Sequence, residues 1–313
     1  MCQVDLHGLA CLEELAVTSC KSLRSVNVAN CAQLLRLRVD MCNVRDLQLA
    51  ALPRLREVSA DGCLLDHFGA RGVPALEELV QLSVLWTNDA RLELDAPSLR
   101  VLDLRSSPYL TSEKLQAVLA CLPKLVVLSV SDCANLTHVN VPGTVVNLAL
   151  RALPKLRHVA ADGPLALRTL ELAAVAKLEA ADRQALLSAA RASLEQLVLR
   201  GDVDQPALAL AFPQLADLTV EQCLSLHELT VRCPRLRIFK LAGCLALHTL
   251  RLEHDAVDLQ IHELSSASSV RHLALCASML PPMDLLARLM PNLRHLELAI
   301  CPVAPAELTR CAA

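Results

Sequence analysis

The sequence predicts an α/β solenoid of about 12 to 13 coils. It places a parallel β-sheet on the concave face, and mostly short extended segments with a few helices on the convex face. Three observations lead there. The phrase Leu12, Leu15, Val17, Cys20 returns as Leu23, Val26, Val28, Cys31 and again as Leu34, Leu37, Val39, Cys42. A unit of two such half-phrases cannot bury its leucines alone, so successive units must stack. Apolar residues make up 54% of the 313 while aromatics are only 2%, which suits a narrow aliphatic core. Finally, the spacing persists almost to the C-terminus, so a single domain over residues 1–313 is expected.

Strand-core pairs fall at Leu15/Val17, Leu37/Val39, Val58/Ala60, Leu82/Val84, Leu102/Leu104, Leu128/Val130, Leu148/Leu150, Leu170/Leu172, Leu197/Leu199, Leu218/Val220, Phe239/Leu241 and Leu259/Ile261. Alternation at period 2 turns these residues inward and their neighbours outward. A second extended segment lies between most of them, at Val26/Val28, Leu47/Leu49, Leu92/Leu94, Val139/Val141, Val159/Ala161, Leu208/Leu210, Leu229/Val231 and Leu250/Leu252. Longer steps read as helix. Thr111 or Ser112 caps Glu113 to Cys121, where Leu115, Val118, Leu119 and Leu122 form a helical stripe. Asp182 is expected to cap Arg183 to Ala192, and a third helix is expected over Met283 to Met290, between prolines. Residues 62–75, rich in Gly, read as a loop, and the phase from Leu259 to Leu275 fits neither half-coil. Residues 302–313 are expected to cap the C-terminal end, with a short helix from Ala304 to Cys311.

The 14 cysteines include no CxxC pair. Cys20, Cys31, Cys42, Cys63, Cys133, Cys223, Cys244 and Cys301 share one slot just after a strand, where a small buried thiol can donate to a turn carbonyl. Free, buried thiols are therefore expected rather than disulfides or a zinc knuckle.

The segment SEKLQAVLACLPKLVVLSVSDCANLTHV, residues 112–139, resembles the cysteine-containing leucine-rich repeat of F-box proteins: a helix, a C-x-P-x-L step and an L-x-x-L-x-L-x-x-C strand. The thinner units, such as CKSLRSVNVANCAQLLRLRVDMC, resemble the short repeats of plant and algal members. The resemblance implies a leucine-rich-repeat fold over nearly the whole chain. It further implies substrate recognition within a ubiquitin ligase. The adaptor-binding F-box segment is not expected within these residues; it is expected to lie upstream of them or to have been lost.

A net charge of −3 and a pI near 6.4 supply no field that would draw nucleic acid or an anionic membrane. Mean hydropathy is +0.41, yet no apolar run approaches the ~20 residues of a membrane span. With no secretory leader visible, the cytosol or nucleus is the expected compartment. Outward positions on the presumed concave strands alternate in charge: Arg36, Arg38, Asp40, Glu57, Asp61, Asp103, Arg105, Arg151, Arg200, Glu221 and Lys240. Such a face suits a protein partner of mixed charge, with Trp86 at its rim as an aromatic anchor. No catalytic residue, metal or cofactor is expected. Asp40 and Asp61 lack further stacked acids, and His138, His158, His248, His272 and His295 read as surface residues without a nucleophile or acid partner. The function expected is protein recognition, as in F-box-like ligase subunits; a structural subunit of a larger assembly and an innate-immune or receptor sensing domain are the alternatives. The thinly covered first coil, beginning at Leu6 and Leu9, predicts self-association there or coverage by another domain.

Overall fold

The computed structural model describes residues 2–84, 91–201, 205–254, 260–262, 270–277 and 290–299. Two compact units, residues 1–165 and 166–313, are each built as a parallel β-solenoid, with about twelve turns in all.

In the first unit the main sheet takes one strand from each turn: Glu14–Thr18, Arg36–Asp40, Glu57–Ser59, Glu78–Leu82, Val101–Arg105, Val127–Ser131 and Asn147–Arg151, neighbours in that order. The other half-turns build a second sheet from Cys2–His7, Leu23–Ala29, Asp46–Ala50, His67–Arg71 and Arg91–Leu94, and a separate pair from His138–Pro142 and His158–Asp162. Helix α1, Ser112–Ala120, stands in the chain where the second-sheet strand of its turn would be. Thr111 caps it, its side chain accepting the Lys114 amide at 3.5 Å. Ser112 Oγ ties the helix to the next turn by accepting the amides of Thr137 (3.1 Å) and His138 (2.9 Å).

The second unit repeats the plan. Its main-sheet strands are Thr169–Ala173, Gln196–Arg200, Asp217–Glu221, Ile238–Ala242 and Gln260–His262, and its second sheet runs Ala207–Ala211, Glu228–Arg232, Thr249–His254, His272–Ala277 and His295–Ala299. Helix α2, Ala180–Ala189, again replaces a second-sheet strand.

Register explains why the leucines recur. Leu128 lies opposite Leu148 and Val130 opposite Leu150, as Leu197 lies opposite Leu218 and Leu199 opposite Val220. All are at most 2% exposed, so the inward columns are continuous aliphatic ladders. Each such side chain contributes about 1.5–3 kcal/mol of burial.

Strands end on a residue in the left-handed region: Ser19, Asn30, Met41, Ala51, Ser106, Asp132, Ala152, Ala174 and Gln222 have φ between 45° and 57°. This conformation costs a non-glycine residue about 1–2 kcal/mol. It aims the amide along the stack: Ala51 N–H donates to Arg71 O (3.0 Å), Ala174 to Arg200 O (2.8 Å) and Gln222 to Ala242 O (2.7 Å). The chain then dives inward, which is the cysteine slot. Cys31, Cys42, Cys133 and Cys223 donate S–H to the carbonyl two residues earlier at 3.2–3.5 Å. Cys31, Cys42, Cys63, Cys133, Cys223 and Cys244 are buried, as is Cys233, and these seven, with Cys2, Cys11, Cys20 and Cys121, are free thiols.

Several expectations require correction. Cys20 is exposed, because it belongs to the first main-sheet turn, whose strand residues Leu15 and Val17 are themselves only half-buried. The fourth main-sheet strand is not centred on Leu82/Val84. Leu79 pairs with Val58 and Leu102, and Leu82 with Leu104, across an irregularity at Gln81, whose φ is +56°; Val84 lies beyond the strand in a lone bridge to Leu65. Residues 62–75 are not simply a loop, since Phe68 and Ala70 occupy the inward positions of the strand His67–Arg71. Gly69 hides that strand from a propensity reading; Gln48 from the preceding turn lies where its Cβ would stand, 2.1 Å from Gln48 Oε1. Asp182 does not cap α2; Glu179 is its N-cap and makes no side-chain cap bond, while Asp182 sits in the first turn. Ile261 pairs with Phe239, so it fills the first inward position rather than the second. Leu273/Leu275 then follow Leu250/Leu252 on the second sheet, which resolves the phase between 259 and 275. Leu259, all but the last residue of the helix expected over Met283 to Met290, Cys301 and the cap at 302–313 lie outside the described residues.

Candidate functional site

On the main sheet, the first and third positions of the strands point outward, while the fifth residue of Glu78–Leu82 is the buried Leu82; register decides which charges meet. In the first unit Arg36 pairs with Glu14 on the neighbouring strand. Arg38 reaches Asp40 on its own strand at 2.9 Å, and Arg105 reaches Asp103 at 2.9 Å. Glu57 stands between Arg36 and Glu78 in the first outward column. Arg151 donates to Ser129 Oγ at 3.4 Å. In the second unit Glu221 bridges two strands, accepting from Arg200 Nε at 2.6 Å and from Lys240 Nζ at 2.9 Å. The Lys240 ammonium, followed by the Arg200 guanidinium, holds the Glu221 carboxyl below the usual carboxylate range.

The sequence-predicted residues therefore separate into two kinds. Arg36, Arg38 and Arg200 are exposed, and Glu57, Asp61, Arg105, Arg151, Glu221 and Lys240 are half-buried. Asp40 and Asp103 are not solvent-facing as expected, at 8% and 6% exposure. Asp40 is a turn brace: its Oδ1 accepts from Ser59 Oγ (3.0 Å) and from the Asp61 amide (3.2 Å). It is thus committed to structure and does not form a carboxylate pair with Asp61. Trp86 lies outside the described residues.

A second outward surface was not singled out from the sequence. On the second sheet of the second unit, Glu228, Thr249, Arg251, His272, Ala274, Arg294, His295 and Glu297 line a groove of about 590 Å³. Neighbouring strands bring His272 and His295 into register, and their rings stack with centroids 4.5 Å apart and planes 6° from parallel. His227 and His248, one position before their strands, approach to 5.6 Å. The signal in the sequence is the repeated basic pair before a strand, Arg271-His272-Leu273 and Arg294-His295-Leu296, echoed by His227-Glu228-Leu229 and His248-Thr249-Leu250. It was illegible because the half-coil phase after Leu259 was unresolved.

Among the described residues, no group of three or more His, Cys, Asp or Glu side chains is placed to hold a metal ion, and no helix is long and apolar enough to cross a membrane. No family model matches this chain, and no curated protein matches it.

Proposed function

We propose that the chain is a protein-recognition module of the leucine-rich-repeat type, with no catalytic or cofactor role. Its partner docks on the outward side of the main sheet, and its use is substrate selection as in F-box-like ubiquitin-ligase subunits of the cytosol or nucleus. The observation that carries this reading is the outward lattice of opposite charges on adjacent strands, centred on Arg200, Glu221 and Lys240. Exposed pairs such as Arg36 with Glu14 add only about 0–1 kcal/mol of stability each, while Glu221 is half-buried between its two cations. A partner can therefore exchange the exposed pairs at little cost while gaining register and specificity from alternating charge. The rigid strands beneath hold these side chains at fixed spacing, which lowers the entropy lost on binding.

Cross-linking of the full-length protein in its source cells, followed by purification of the captured partner, supplies the test. The purified partner should bind the wild-type chain and lose at least about tenfold in affinity, or 1.4 kcal/mol, with R200E/K240E. Melting temperatures control for folding, since the reversal also removes both cations that hold the half-buried Glu221. Equal affinity for the wild-type and R200E/K240E chains overturns the main-sheet reading. Failure of a ubiquitin-ligase adaptor to co-purify with the full-length protein overturns the ligase assignment alone.

A further inference from the structure

The cysteine slot stacks the thiols of successive turns on one another, and one stacked pair is reachable from solvent. Thr18 and Asp40 are register partners, so two residues further on Cys20 stands over Cys42. Neighbouring strands lie about 4.8 Å apart, inside the roughly 4.4–6.8 Å between Cα atoms that a disulfide spans. The Cys20 amide donates to Cys42 Sγ at 3.3 Å, and the two thiols are themselves in hydrogen-bond contact. Cys42 is buried, its S–H donated to Asp40 O at 3.2 Å, whereas Cys20 is exposed.

This arrangement gives the two sulfurs different parts in an oxidation. A reagent from solvent meets Cys20 first. Burial pushes the Cys42 thiol up and keeps it out of that step. The Cys20 amide is placed to stabilise charge on the Cys42 sulfur as its proton leaves. Other thiols of the chain supply only half of this. Cys223 and Cys244 make the same thiol contact in the second unit, but both are buried. Cys63 is buried too, with its S–H committed to Val39 O at 3.0 Å. Cys121 is exposed but donates to Ala117 O within its own helix at 3.5 Å.

We infer that Cys20 and Cys42 are a peroxide-responsive thiol pair that closes a disulfide between the first two turns of the main sheet. The Cys20 sulfur attacks one oxygen of a hydroperoxide: an S–O bond forms, the O–O bond breaks, and the departing oxygen takes up the thiol proton and leaves as water or an alcohol. The Cys42 sulfur then attacks the sulfur of the Cys20 sulfenic acid. An S–S bond forms, the S–O bond breaks, and the hydroxyl leaves as water with the Cys42 proton. The two sulfurs together lose two electrons, which reduce the peroxide. Cys20 and Cys42 contact equivalent carbonyls, Thr18 O and Asp40 O, so their Cβ–Sγ bonds point the same way. The closed bond is therefore strained and readily reopened by other thiols. The pair stands apart from the charged face of the main sheet and does not depend on its reading.

The test treats the reduced full chain with hydrogen peroxide, blocks remaining thiols with N-ethylmaleimide, and cuts with trypsin and Glu-C without reduction. Mass spectrometry should find the peptide of residues 15–21 joined to that of residues 39–45, in a chain that runs as a monomer on a non-reducing gel. Dithiothreitol should release both peptides. In C42S, Cys20 should instead carry a sulfenic acid that dimedone traps, and in C20S the Cys42 thiol should survive. The wild-type peptide map decides the question if C42S fails to fold. A Cys20 oxidised to the sulfinic acid while Cys42 stays free overturns the inference. So does a disulfide from Cys20 to Cys2, to Cys11 or to a second copy of the chain, and so does closure of Cys223–Cys244 ahead of Cys20–Cys42.

Discussion

Replacing Leu148 by Asp tests the inward/outward phase on which every surface assignment rests. Leu148 is 1% exposed and lies opposite Leu128 in the main sheet of the first unit. The change forfeits about 1.5–3 kcal/mol of aliphatic burial. It also places a carboxyl among leucines. At pH 7 the buried group escapes ionisation only by taking up a proton, at a cost of about 4 kcal/mol relative to its ordinary value near 3.9. The combined loss of roughly 5–7 kcal/mol rivals the whole stability of a typical domain. The neighbouring Ala149 points outward and is half-buried, so Ala149→Asp should change stability by less than about 1 kcal/mol. Hydrogen exchange of both variants is the assay. Because solenoid turns contact mainly their neighbours, Leu148→Asp should strip protection first from strands Val127–Ser131, His138–Pro142 and Asn147–Arg151. The distant strand Arg36–Asp40 should keep its protection longer. A Leu148→Asp protein with wild-type exchange, or an Ala149→Asp protein that melts as badly, would refute the phase.

Other outcomes follow from the turns and thiols. Burial pushes the thiols of Cys133 and Cys233 up to about 11, from 9.0 in the open chain. The unfolded thiols therefore lose their protons first, and folding stability is intact below pH 9 and falls between pH 9 and 11. C133A/C233A should flatten that part of a Tm-against-pH curve; an identical decline in the variant would contradict it. Iodoacetamide with mass spectrometry should label Cys2, Cys11, Cys20 and Cys121 in the native protein, all exposed, and rapid native labelling of Cys133 would show that the slot is open. Ala152→Gly relieves a φ of +48°, a gain of about 1–2 kcal/mol partly offset by about 0.5–1 kcal/mol of glycine entropy, so chemical denaturation should show equal or higher stability. Gly201→Ala should lower stability instead, since φ is +81° and the new Cβ would stand 3.3 Å from the Ala174 amide nitrogen. Glu179→Ser should add about 0.5–2 kcal/mol by giving α2 the side-chain cap it lacks; no gain in Tm would mean that the Glu179 side chain already supplies an equal interaction.

Much of this architecture is local and was therefore readable in one dimension. Period-2 alternation places Leu148 and Leu150 inside whatever lies next to them, and the recurring slot after each strand makes a small thiol the natural corner residue. Thr111 and the stripe from Leu115 to Leu122 define α1 without any knowledge of neighbours. The tertiary structure decided what depends on register between turns. Only when Leu79 stacks on Val58 does the irregularity at Gln81 shift the Leu82/Val84 pair out of place. Pairing with Asp46–Ala50 makes His67–Arg71 a strand, with the Gln48 side chain lying where a Cβ on residue 69 would stand. The same holds for the surface. Asp40 and Asp103 sit at outward positions by alternation, yet both are buried; Asp40 is drawn in by Ser59 and the Asp61 amide one turn later, and Asp103 is salt-bridged to Arg105. His272 and His295 are separated by a full turn of chain and become a stacked pair because parallel register sets equivalent positions one strand apart. Sequence alone thus determined which way the side chains face along the regular strands, such as Leu148 and Leu150. Which side chains face one another was decided by the stacking of turns, because strand spacing and register act across about 20 residues of chain that no local pattern records.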